Sequence, residues 1–96
     1  MAISLVAAVK VKDGQQADFE AAALELVEAV NANEPGCLLY TLSKTDDPVT
    51  YVFMERYQDK AATAAHQSSD HFKTIGRQMG AFMDGPPDVM VMSELG

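Results

Sequence analysis

Apolar and polar positions open the chain with a period of two: Ile3, Leu5, Ala7, Val9 and Val11 alternate with Ser4, Val6, Ala8, Lys10 and Lys12. The pattern predicts a strand with one face wholly apolar and the other nearly so, covered on both sides. Asp13, with Gln16 three residues on, forms a variant of the capping box and predicts a helix start there. Phe19, Ala23, Leu26, Val27 and Val30 then recur at spacings of three and four, while Asp18, Glu25 and Glu28 fall elsewhere. The helix therefore carries one oily stripe and one acidic face, and it ends near Asn33, ahead of Pro35 and Gly36.

Alternation returns over Cys37 to Lys44, with Leu38, Tyr40 and Leu42 on one face and Cys37, Leu39, Thr41 and Ser43 on the other. Asp46, Asp47 and Pro48 supply turn chemistry. Tyr51, Phe53, Glu55 and Tyr57 against Val52, Met54 and Arg56 make a third strand, folded back on the second as a hairpin. The alanines after Asp59 read as helix, which Gln67 to Asp70 interrupts because Ser and Asp favour caps over helix interiors. Phe72, Ile75, Met79, Phe82 and Met83 restart a helical stripe that Gly85, Pro86 and Pro87 stop. Val89, Val91, Ser93 and Leu95, against Met90, Met92 and Glu94, form the last strand.

The order strand, helix, strand, strand, helix, strand predicts a single α+β domain over 1–96, a ferredoxin-like βαββαβ sandwich. Its four-stranded antiparallel sheet carries the helices on one face. Strands one, two and four have apolar residues on both sides, so the bare face would expose more apolar surface than soluble monomers usually do. The expected solution is a homodimer joined sheet to sheet.

Composition narrows the function classes. Seven Lys and Arg against fourteen Asp and Glu give a net charge of −7, which disfavours nucleic acid as a partner. The run without basic residues between Lys12 and Lys44, including Glu20 and Glu34, reads as a solvated acidic helix face. The longest apolar run, Leu5 to Val9, falls far short of the roughly 20 residues that a membrane helix needs. With one cysteine, Cys37, read as a small hydrophobe, the chain fits a reducing cytoplasm.

Candidate chemistry gathers at Glu55-Arg56-Tyr57 on a strand end and at His66 to His71 on the helix break. His66 has the ordinary pKa for acid or base work at neutral pH, against a structural alternative as a partly exposed helix residue. His71 falls in the first turn of the next helix, where the dipole favours neutral imidazole. Glu55 shares a strand face with aromatic rings, so it must be protonated or paired, as in an ion pair with Lys73 or Arg77. Tyr40, Tyr51, Phe53, Tyr57 and Phe72 are candidates to line a pocket for a flat organic ligand, or to fill the core. The two histidines are five apart rather than the four that place ligands on one helical face, so no metal is expected.

The segments Asn33-Glu-Pro-Gly-Cys-Leu-Leu-Tyr, Tyr51-Val-Phe-Met-Glu-Arg-Tyr-Gln-Asp-Lys-Ala-Ala and Ala65-His-Gln-Ser-Ser-Asp-His-Phe together resemble the antibiotic biosynthesis monooxygenase domain family. The resemblance spans nearly the whole chain and implies a dimeric α+β barrel with a pocket between sheet and helices. It implies an oxygenase that uses neither metal nor flavin, acting with O2 on a phenolic or quinol-like aromatic substrate. Glu55, His66 and His71 match motif positions and become the candidate catalytic residues. His66 would be the base or relay, Glu55 would orient it or a substrate hydroxyl, and Tyr51 or His71 would donate to oxygen. Tyr57 stands where relatives often carry Trp, and the absence of any Trp argues against the related haem-degrading enzymes. A small-metabolite isomerase and a non-catalytic aromatic-binding module are the alternatives.

Overall fold

The computed structural model describes residues 1–96, and its elements run β1 (Ile3–Lys10), α1 (Gln16–Asn33), β2 (Cys37–Lys44), β3 (Thr50–Tyr57), α2 (Lys60–Ser68), α3 (Asp70–Gly80) and β4 (Asp88–Ser93). The strands form one sheet in the order β2-β3-β1-β4, with every neighbouring pair antiparallel. This is the expected ferredoxin-like arrangement, its second helical segment split where Ser69 leaves helical geometry. Ser69 ends α2 and also caps α3, its hydroxyl accepting a hydrogen bond from the Phe72 amide. Asp59 caps α2 in the same way through the Ala62 amide.

The strand alternation decides which residues meet the helices. Ile3, Leu5, Ala7, Val9 and Val11 are buried, as are Tyr51, Phe53, Glu55 and Tyr57 on β3, while α1 contributes Phe19, Ala22, Ala23, Leu26 and Val30. Phe19 stacks on Tyr51 with ring centroids 5.0 Å apart, fixing α1 over the sheet. No helix is long and apolar enough to cross a membrane.

Three local expectations need correction. The first helix begins at Gln16 rather than Asp13, and its N-cap makes no side-chain bond. Gly14 takes a left-handed turn (φ +87), while the Gln16 side chain accepts from the Gly14 amide and donates to Asp13, so the polar side chains close the loop instead of the helix. On β2, pairing passes from Cys37↔Tyr57 to Leu39↔Arg56, leaving Leu38 as the extra residue of a bulge. The bulge reverses the alternation at that end: Leu38 is exposed, and Cys37 packs against the core. Its burial raises the thiol pKa to about 11, in keeping with a packing role. Finally, Leu95 lies beyond β4 and is exposed.

The other face of the sheet carries Val6 and Ala8 from β1, and on it Leu39, Met54, Met90 and Met92 are exposed. At one edge of this face Arg56 makes two charge-assisted bonds to Glu94, of 2.7 and 2.9 Å, and Ser4 donates to the same carboxylate. β4 is exposed along its whole length, with Val89 and Val91 on the helix side of an edge strand.

Candidate active site

A carboxylate at the end of α1 organises the site. Helices are ill served by an acid at their C-terminus, where the dipole is negative, so Glu34 sits there for another reason. Pro35 disfavours helical geometry in the residue before it, and Glu34 accordingly leaves the helix at φ −118, ψ 88. Its side chain reaches the junction of α2 and α3. There the Nδ1 of His66 lies 3.0 and 3.1 Å from its two oxygens, and the Nε2 of His71 bonds to one of them. The helix break at Ser69 lets residues five apart converge on one carboxylate, which no continuous helix would do.

Gly36 makes the approach possible. A Cβ there would lie 2.7 Å from the Cβ of Ala62 on α2, and the Gly36 carbonyl accepts from the Gln58 amide. Gly36→Ala is therefore expected to push α2 away from the start of β2, lowering stability by at least about 1 kcal/mol through overpacking. It would also loosen the Glu34–His66 contact, and urea denaturation together with the NMR chemical shifts of the His66 ring would register both changes.

His66 is only 4% exposed and is caged by rings: Phe72 at 4.6 Å, Tyr40 at 5.3 Å and Tyr57 at 5.5 Å between centroids. When neutral, it satisfies Glu34 by carrying its proton on Nδ1, which leaves the Nε2 lone pair free. Nε2 has no hydrogen-bond partner, yet it is not a sealed, unsatisfied atom. It opens towards a cavity of about 640 Å³ between the sheet and α3, lined by His66, Glu55, Tyr40, Phe53, Phe72 and Met79 among others. That size and mostly apolar lining suit a small organic ligand.

Glu55 is the second buried acid, 7% exposed, and its partner is the Tyr57 hydroxyl at 2.5 Å rather than Lys73 or Arg77. Burial raises its pKa, partly offset by the Tyr57 bond and the nearby His66. The Tyr57 phenol is in turn pushed up by burial and by the Glu55 carboxylate, so it stays a donor.

The candidate residues thus divide. His66, Glu55, Tyr40, Phe53 and Phe72 line one cavity, and Tyr57 stands behind it, holding Glu55 and packing on His66. His71 reaches the site only through Glu34. Tyr51 lies apart, where its hydroxyl donates to Glu20 at 2.5 Å beside Lys44, and burial, then that bond, lifts the phenol to about 12. A role for Tyr51 as donor to oxygen does not fit this placement, and the group that orients His66 is Glu34, not Glu55. Glu20 and Glu34 are also not part of a solvated acidic face, since each is bonded to buried groups. Glu34 was legible in one respect: an acid at a helix C-terminus before Pro-Gly lacks a helix-stabilising reason to be there.

Glu34, His66 and His71 bring one ligand atom each to within 4.8 Å of one another, the donor set of a two-histidine, one-carboxylate metal centre. Because the helix breaks at Ser69, histidines five apart still meet, and their spacing does not exclude a shared metal. The three groups nevertheless satisfy one another directly, because both ring nitrogens are already bonded to the carboxylate.

Residues 2–78 match the family model described as antibiotic biosynthesis monooxygenase. A Bacillus subtilis protein named "Putative monooxygenase" is 28% identical over 88 residues, covering 92% of this chain and 93% of that one. A Caulobacter crescentus crystal structure titled "putative antibiotic biosynthesis monooxygenase" superposes with a TM-score of 0.95 at 35% identity, covering 99% of this chain and 91% of that one. A Mycobacterium tuberculosis structure, with a TM-score of 0.91 at 23% identity over 100% of this chain and 97% of that one, shares the fold.

Proposed function

The chain belongs to the antibiotic biosynthesis monooxygenase family, and from that premise we propose that it oxidises a phenolic or quinol-type aromatic substrate with O2, without metal or flavin. The observation that carries this reading is the Glu34–His66 pair, which turns a free imidazole nitrogen towards an apolar cavity. A base so oriented takes a phenolic proton, and the apolar surroundings keep the resulting phenolate reactive. The phenolate passes one electron to O2, and the two radicals combine to a carbon-bound peroxide. Loss of the ring hydrogen and of water leaves a quinone, so that ArH(OH) + O2 becomes a quinone plus H2O. The substrate is its own reductant. His66, protonated in the first step, returns its proton to the departing oxygen, while Glu34 stabilises the imidazolium between the two events. Glu55, which accepts from the Tyr57 hydroxyl, has a second oxygen that can accept from a substrate hydroxyl and orient the ring.

Purified protein treated with chelator and dialysed is expected to consume O2 with a hydroquinone, anthrone or naphthol above the uncatalysed rate, at the same rate as untreated protein. Loss of uptake on chelation, restored by a divalent metal, would assign the Glu34, His66 and His71 cluster to metal chemistry instead. Turnover without O2 uptake would favour an isomerase, and binding without turnover a carrier.

The exposed Leu39, Met54, Met90 and Met92 support a sheet-to-sheet homodimer. Sedimentation at micromolar concentration is expected to give a dimer, and Met54→Glu with Met90→Glu to give a monomer.

A further inference from the structure

We infer that Lys73 and Arg77 of α3 form, at the wall of this cavity, a subsite for a carboxylate or similarly anionic substituent on the aromatic ligand. The inference rests on reading the cavity as the aromatic-substrate site. In a chain with net charge −7, the cavity lining reverses the balance: two bases against one acid, Glu55. That acid is already bonded to Tyr57. Neither Lys73 nor Arg77 has a carboxylate within 4.0 Å, so both charges are free to meet a ligand. Asp70, three residues before Lys73, does not bridge to it either.

The helix itself gives a second observation. Lys73, Gly76, Arg77 and Gly80 all line the cavity, and their spacing of three, four and seven places them on one face of α3. Like charges four apart weaken a helix, and so do glycines within it, so this face is not arranged for helix stability. A Cβ at Gly76 or Gly80 would meet nothing within 4 Å, so the glycines leave open space beside the apolar sheet residues. A flat ring fits against that glycine surface with its edge anion between the two cations. Arg supplies a planar fork for a carboxylate, and Lys a mobile point charge.

Isothermal titration of the full chain with 2-naphthoate and with neutral 2-naphthamide tests this without needing turnover. Wild type is expected to bind the carboxylate roughly tenfold tighter, as a charge-assisted contact would give, with a preference that weakens as salt rises. Lys73→Met with Arg77→Met is expected to remove the preference and keep amide binding. Lys60→Met, a surface charge change outside the cavity, is expected to leave it intact. Equal affinities in wild type, a preference surviving the double variant, or no binding of either compound would each overturn the inference. Preferential naphthoate binding without O2 uptake from any hydroxynaphthoate would leave the subsite standing and defeat the oxygenase reading.

Discussion

His66→Ala is expected to lower oxygen uptake by about 10²- to 10⁴-fold, the span that a positioned acid–base group contributes. Glu34→Gln should fall part of the way, because the two changes remove different things. Without the imidazole the cavity has no group with a free lone pair at that position. With Gln at position 34, the amide oxygen can still accept from Nδ1, but the negative charge that stabilises the imidazolium is gone. His71→Ala should cost less again, since His71 reaches the reacting position only through Glu34. Tyr51→Phe, whose hydroxyl is held by Glu20, is the control that should leave uptake unchanged. Single-turnover rates for the four variants would sink this assignment if His66→Ala matched wild type, or if His71→Ala fell below it.

Tyr57→Phe is expected to have the largest effect on stability among site variants, and its sign depends on pH. Burial raises the Glu55 pKa in the folded state, whereas the unfolded value stays near 4.5. Between the two values the folded protein holds a proton that the unfolded chain has released, so stability falls as pH rises through this window and levels off above the folded pKa. The Tyr57 hydroxyl works against that fall by donating to the carboxylate. Removing it leaves the ionised form of a buried acid short of a donor, a loss of about 3 kcal/mol above the folded pKa of Glu55 that shrinks as the acid becomes protonated below it. Glu55→Gln should instead flatten the profile, with stability at neutral pH equal to or above wild type. Urea midpoints measured from pH 4 to 9 for the three proteins would decide this, and a Tyr57→Phe deficit that does not vary with pH would contradict it.

Periodicity placed the strands and the helices, because alternation on a sheet and three-to-four spacing on a helix are imposed by backbone geometry. The last helical stripe ran too far: α3 ends at Gly80, and Phe82 and Met83 lie beyond it, Met83 bridging to Val11. The break at Gln67 to Asp70 was equally legible, since Ser69 and Asp59 perform a local capping reaction that needs no distant partner. The aromatic setting of Glu55 followed from the same alternation on β3. Where side chains had a choice of partner, the sequence was silent. Gln16 closed a loop rather than a helix, and a bulge at Leu38 exchanged the faces of Leu38 and Cys37.

The site shows this division most clearly. Residue type marked His66, His71 and Glu55 as groups able to move protons, but the roles of the two histidines come from contacts with Glu34, 32 and 37 residues away. Glu34 is near the histidines only because Pro35 turns the chain, Gly36 admits α2, and Ser69 bends the helix pair around it. Tyr51 and Tyr57, on the same face of one strand, part company for the same reason. One hydroxyl meets an acid from α1, while the other meets an acid two residues away inside the core. Local chemistry is fixed by the order of residues, whereas the pairing of charges depends on which segments the packing brings within about 3 Å of each other.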